Sequence, residues 1–139
     1  PVGADINTKD DVEFECIKVA TVQRLMETNR SDKLNLLILD ACRNNPFKSW
    51  ARGGEEGLAD MTPPSGTLIA FATAPGQTAA NGDGRNGLYT GELIKQLKKH
   101  QRIEDVFINT RVEVENKSAG EQSPWELARL RGIYYLVDE

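Results

Sequence analysis

From Leu34 to Leu39 the chain is apolar but for Asn35, and the run then breaks into Asp40-Ala41-Cys42-Arg43-Asn44-Asn45-Pro46-Phe47. An apolar run of this length, bounded by turn residues, reads as a strand buried on both faces, the kind found inside parallel sheets. Open α/β sheets bind ligands at the carboxyl ends of their strands, so Asp40 and Cys42 stand where such sheets do chemistry. Side chains alternate along extended backbone, so residues two apart share a face and the carboxylate and thiol point the same way.

With 139 residues, 39% of them hydrophobic, the chain is one domain by length and buries a core without disulfides or metals. It has no apolar run of about eighteen residues and no basic-apolar leader, so no membrane contact and no signal peptide are expected within it. An export signal would lie outside this chain. A net charge of −4 on a mixed Lys/Glu surface argues against a nucleic-acid partner. Lys95, Lys98, Lys99, His100 and Arg102 read instead as a helix end, where cations suit the macrodipole. Two cysteines without a CxxC pair exclude a cysteine-built zinc site and fit a reducing compartment, the cytoplasm first. Cys16 repeats at helical spacing with Val12, Val19 and Val22 and is expected to be a small buried hydrophobe.

The periodicity predicts a helix from Asp11 to about Thr28, a strand over residues 34–40 and a second strand from Gly66 to Ala72. Between the strands, Arg43 to Ser65 is long for a connection inside a domain, as functional or cleavable loops are. Helices are predicted from Leu88 to Lys99, with Leu88, Leu93, Ile94 and Leu97 inward, and from Ile103 to Asn116, with Ile103, Val106, Phe107, Thr110 and Val114 inward. Gly120 to Trp125 reads as loop and Gly132 to Val137 as a last strand. The order is α-β-β-α-α-β, whose three strands are few for this many helices, so further strands are expected outside the chain.

Leu39-Asp40-Ala41-Cys42-Arg43-Asn44-Asn45-Pro46-Phe47, Pro64-Ser65-Gly66-Thr67 through Thr73-Ala74-Pro75-Gly76, Gly82-Asp83-Gly84-Arg85-Asn86-Gly87 and Gln122-Ser123-Pro124-Trp125-Glu126 together resemble bacterial caspase-like cysteine peptidases. These are the peptidase C14 group related to metacaspases, orthocaspases and paracaspases. The resemblance runs nearly end to end. Asp40 stands where the caspase signature has Gln, as in the metacaspase-like branch.

The resemblance implies a three-layer α/β/α caspase-like sandwich whose first strands are missing here, and a chain that begins just after the catalytic His. It implies Cys42 as the nucleophile of a Cys-His dyad. The histidine would come from an N-terminal fragment of the same domain, and the oxyanion would be held by backbone N–H groups. Without the resemblance, Cys42 reads as a buried strand-end thiol. Asp40 would select Arg or Lys at P1, the residue whose carbonyl is attacked, since a carboxylate takes a guanidinium at two points; the plainer alternative is an Asp40 paired with Arg43 or with loop N–H groups. Ala72, Thr73 and Gln77 would bind an extended peptide or protein substrate, against the alternative of a plain loop. Arg52 and Arg85 lie in glycine-rich loops and are candidate self-cleavage sites, or simply uncut surface arginines.

Other chemistries fit less well. His100 sits in Lys-Lys-His-Gln at a helix end and reads as solvated rather than as a base. Gly82-x-Gly84-x-x-Gly87 fits the dinucleotide pattern, but the strand before it ends too early, which leaves a nucleotide-binding α/β domain as a weaker class. Asn81, Asp83 and Glu92 mimic a calcium loop, yet Arg85 fills a ligand position and Asn86 stands where glycine is needed. Asp10 and Asp11 echo the flanking acids of calcium-activated metacaspases, while Gly3 and Ser49 stand where further acids are expected. No metal or cofactor is therefore expected. Phosphatases of the Asp-x-Asp type, or with Arg six after Cys, fit worse, since Cys42 stands where the second Asp is needed and Lys48 stands six after Cys42. The rival to an enzyme is a caspase-like binding or scaffold module that has lost its base.

Overall fold

The computed structural model describes residues 6–28, 34–41, 62–80 and 85–138. The backbone clusters into two units, residues 1–33 and residues 34–139.

In the first unit, helix α1 (Lys9–Glu15) opens on a reciprocal cap. The Asp11 N–H donates to the Thr8 hydroxyl, and the Thr8 N–H donates back to the Asp11 carboxylate at 2.6 Å. These bonds, the side-chain bond from Thr8 foremost, hold the Asp11 carboxyl below its ordinary range. The helix ends at Cys16, whose backbone is extended (φ −113°, ψ 146°), and α2 (Val19–Thr28) starts three residues later. The single helix expected over residues 11–28 is thus two. The break falls at Cys16-Ile17-Lys18-Val19, where cysteine and β-branched residues favour the helix least. Cys16, now a cap, is half-buried rather than buried, and the neighbouring Ile17 is 81% exposed.

The second unit is built on a mixed sheet. Strands β1 (Asn35–Leu39) and β2 (Thr67–Phe71) run parallel, with Asn35 opposite Thr67 and Leu39 opposite Phe71. Strand β3 (Trp125–Arg129) runs antiparallel on the other side of β2, with Phe71 opposite Trp125. Every residue of β2 is buried, Thr67 together with the apolar run Leu68–Phe71, as befits a central strand. Helices α3 (Leu88–Leu97) and α4 (Ile103–Lys117) pack on one sheet face, where Leu68, Ala70 and Ala72 meet Tyr89, Leu93, Ile103, Val106, Phe107 and Val114. All five residues expected inward on α4 are buried.

Two expectations are corrected in this unit. On α3, Ile94 is 38% exposed, while Tyr89, Glu92, Leu93 and Gln96 are buried. The inward face carries polar atoms with partners of their own, so hydrophobicity alone located it poorly. The last strand is Trp125–Arg129, not Gly132–Val137. Pro124 suits a strand start, and β3 is held by main-chain pairing with β2 although Trp125 is half-exposed. The Ile-Tyr-Tyr-Leu-Val segment instead makes one isolated bridge, Tyr135 to Arg102, and leaves Ile133 65% exposed. Among the described residues no helix is long and apolar enough to cross a membrane.

Candidate active site

Parallel strands finish at the same edge of a sheet, and here the Ala72 N–H still donates to the Leu39 carbonyl (3.0 Å) beyond the last paired residues. The chain leaving β1 therefore delivers Asp40, with an exposed side chain, beside the end of β2. The first turn of α3 comes up against that acid. The Thr90 hydroxyl donates to Asp40 Oδ2 at 2.5 Å, and Gly87, the helix N-cap, offers no capping side chain. Asp40 brings from another element the negative charge that the N-terminus of a helix favours. Tyr89 is 1% exposed, and its hydroxyl has no partner among the described residues. Burial first, and the negative charge of Asp40 second, push its pKa far up, so it stays a neutral phenol.

The end of β2 is arranged differently. Ala72 and Thr73 are fully buried. The Gln122 side chain, also buried, donates to the Ala72 carbonyl at 2.8 Å and accepts from the Ala80 N–H at 2.9 Å, which binds both ends of the loop that follows β2. The Thr73 hydroxyl donates to the Gln77 carbonyl (3.4 Å), and the Gln77 side chain accepts from the Ser123 N–H (3.1 Å). Residues 122–126 are themselves anchored to α4: Ser123 Oγ donates to Glu115, Arg111 Nε donates to the Pro124 carbonyl, and the Arg111 guanidinium pairs with Glu126. Of the residues expected to bind substrate, Asp40 is exposed, Gln77 half-buried, and Ala72 and Thr73 buried. The groups of Ala72, Thr73 and Gln77 named above already have protein partners.

Helix α3 is held to α4 by Glu92, a buried carboxylate that accepts from Lys117 at 2.6 Å and from Lys95 at 2.8 Å. Burial by itself would raise its pKa, but the two ammonium groups outweigh it and hold Glu92 below the ordinary glutamate range. The same contact raises the Lys117 pKa. A cleft of about 1060 Å³ borders this clamp and is lined by Arg85, Gly87, Glu92, Lys95, Lys98 and Lys117 among others. Asp40 does not line it.

His100, exposed as expected of a helix end, is not merely solvated. Its ring stacks on Tyr135 with centroids 4.8 Å apart, and Nδ1 lies 2.7 Å from the Val137 carbonyl oxygen. It stands past the far end of α3 from Thr90, more than roughly 10 Å along the axis at 1.5 Å per residue, which removes it from Asp40. Arg85 is exposed on the bend before α3. Cys42 and Arg52 lie outside the described residues. Among the described residues, no group of three or more His, Cys, Asp or Glu is placed to hold a metal ion. Sequence reasoning missed Thr90, Tyr89 and Gln122 as parts of this region. Only Gln122 carried a signal, through its place in the Gln-Ser-Pro-Trp motif.

A family model for the caspase domain, Peptidase_C14, matches residues 4–135. Among solved structures the chain is similar to the crystal structure of caspase-1 from Spodoptera frugiperda, at 13% identity and a TM-score of 0.50, over 84% of this chain and 70% of that one. At that identity the likeness is one of fold, and the fold is caspase-like. No curated protein matches the chain.

Proposed function

Since the chain belongs to the caspase-domain family of peptidases, we propose that it is the cysteine-bearing part of an endopeptidase that cuts after arginine or lysine. Membership by itself makes it a cysteine-peptidase domain. The nucleophile, the dyad and the basic P1 preference are the proposal.

The observation that carries the preference is Asp40: an exposed carboxylate at the carboxyl end of a parallel strand, with one oxygen engaged by Thr90 and Oδ1 without a partner among the described residues. A free carboxylate oxygen in that position attracts a guanidinium or ammonium and repels an acidic P1 side chain. Cys42 follows two residues later in the chain, so the selector and the nucleophile are one short step apart. In this reading the Cys42 thiolate attacks the carbonyl of the P1 residue. A histidine from a segment that precedes this chain in the same domain takes the thiol proton and returns it to the leaving amine. The His100 geometry supports an outside base, because the ring stands at the wrong end of α3.

The test is cleavage of paired reporter peptides differing only in Arg or Asp at P1, by protein that includes the histidine-bearing segment and by its Cys42→Ala variant. The expected result is cleavage of the Arg peptide alone, lost in Cys42→Ala. Failure to cut either peptide would leave a caspase-like scaffold in place of the enzyme.

A further inference from the structure

Half-buried Thr90 on α3 behaves differently from Thr110, the buried threonine of α4. A threonine within a helix commonly turns its hydroxyl back onto the preceding turn, and Thr110 does so, donating to the Val106 carbonyl at 2.7 Å. Thr90 sits in the first turn of α3, and its hydroxyl instead crosses to a residue 50 positions earlier in the chain, Asp40, at 2.5 Å. A hydroxyl donating to a carboxylate makes a short, charge-assisted bond, stronger than one between neutral groups. The β-branched side chain that supplies it has few rotamers, so the donor is held still.

Gly87 lies close to the same acid. Its backbone (φ −56°, ψ 159°) is open to any residue, so the turn does not require glycine. What a side chain would change is the surroundings of the acid, because a Cβ at this position would stand 3.5 Å from Asp40 Oδ2. Buried Tyr89 lies between the two in sequence and packs into the core under α3. The 3.5 Å distance at Gly87 is an ordinary van der Waals contact, so it is the Thr90 bond that fixes one carboxylate oxygen, and Oδ1 is left without a partner among the described residues. An aspartate left untethered on an exposed strand end would spread over several solvated rotamers and would have to be ordered by each substrate.

We infer that Thr90 is a positioning residue for P1 recognition, holding the Asp40 carboxylate so that it meets a planar guanidinium with its free oxygen forward. This rests on the reading of Asp40 as the P1 selector. The test separates the two by measuring binding rather than turnover. In a Cys42→Ala background that includes the histidine-bearing segment, the affinity is measured for peptides ending in Arg or in citrulline, its uncharged isostere. The parent prefers Arg. Thr90→Val, nearly isosteric, lowers the Arg-over-citrulline ratio by about tenfold or more, the worth of one charge-assisted hydrogen bond, and Thr90→Ser restores it. A purely structural role for Thr90 would weaken both peptides alike and leave the ratio alone. An unchanged ratio in Thr90→Val, with the ratio lost in Asp40→Asn, overturns the inference and spares the selector. Equal affinity of the parent for both peptides removes the selector and the inference together. Should Thr90→Val melt early, Thr90→Ala is compared with Thr90→Ser on the same ratio.

Discussion

β1 ends in an exposed acid, whereas β2, its parallel neighbour, ends in a fully buried Ala72-Thr73 pair whose carbonyl and following loop are bound by Gln122. Both ends lie on one edge of one sheet, and their backbones share a hydrogen bond. The difference is therefore not in the sheet but in what the rest of the chain does around it. At β2 the Ala72 carbonyl, the Thr73 hydroxyl and the Gln77 side-chain oxygen are engaged by internal partners. At β1 the Thr90 hydroxyl engages one oxygen of the carboxylate, and the other has no partner among the described residues. An internally bonded strand end thus stands beside an exposed acid held by one neighbouring helix, and a site keeps its geometry best when its supports do not move with its ligand.

The sharpest way to break the contrast is at the last paired residues, Leu39 and Phe71. Phe71 is 1% exposed and Leu39 only half-buried. Phe71→Ala should cost about 3–5 kcal/mol, the range for a buried aromatic, and Leu39→Ala about 1–2 kcal/mol, both read from urea unfolding. Equal costs would mean that the two ends are sealed alike.

Next comes the seal itself. Gln122→Ala strands a buried carbonyl and leaves the Ala80 N–H without its partner, so a loss of about 2–3 kcal/mol is expected. Asp40→Asn in the same assay should stay within about 0.5 kcal/mol, as exposed positions do. A Gln122→Ala protein as stable as the parent would show that the loop after β2 closes without it.

The smallest effect concerns how α3 is held while Thr90 works at its start. Glu92 titrates below the ordinary glutamate range, so its contribution is complete above that range and is lost as pH falls through its lowered pKa. Glu92→Gln should therefore cost no more than about 1 kcal/mol at neutral pH, its lysine partners being exposed, and the gap to the parent should close in acid. Thermal melts of both proteins across pH 3–7, a range that spans about 4.3, read this directly. A gap that persists at the acid end would show that shape, not charge, is what Glu92 supplies.

The apolar pattern located β1, β2, α3 and α4 as elements, although β1 is only half-buried and the inward face of α3 is only in part the one its apolar residues predicted. Helix α4 shows the pattern best, with Ile103, Val106, Phe107, Thr110 and Val114 all inward. The same rule failed where burial and hydrophobicity part company. Glu92 and Gln96 are buried polar residues that a hydrophobic stripe cannot find, and β3 is a strand by hydrogen bonding rather than by its side chains. At the site, the place of Asp40 just past the carboxyl end of β1 was legible from the end of the apolar run, while its alignment with Cys42 lies outside the described residues. Its tether to Thr90 and the reach of Gln122 to Ala72 each span 50 positions, and nothing local in Thr90 announces such a partner.

The parallel pairing of β1 with β2 also separates covalent continuity from structural continuity. The backbone joining the two strands passes through residues 42–61, yet what keeps Leu39 beside Phe71 is the ladder and the shared core, not that connection. A single cut between residues 42 and 61 would turn one polypeptide into two without parting them. Asp40 would remain on the first piece and Thr90 on the second, and the contact between them would become one between subunits.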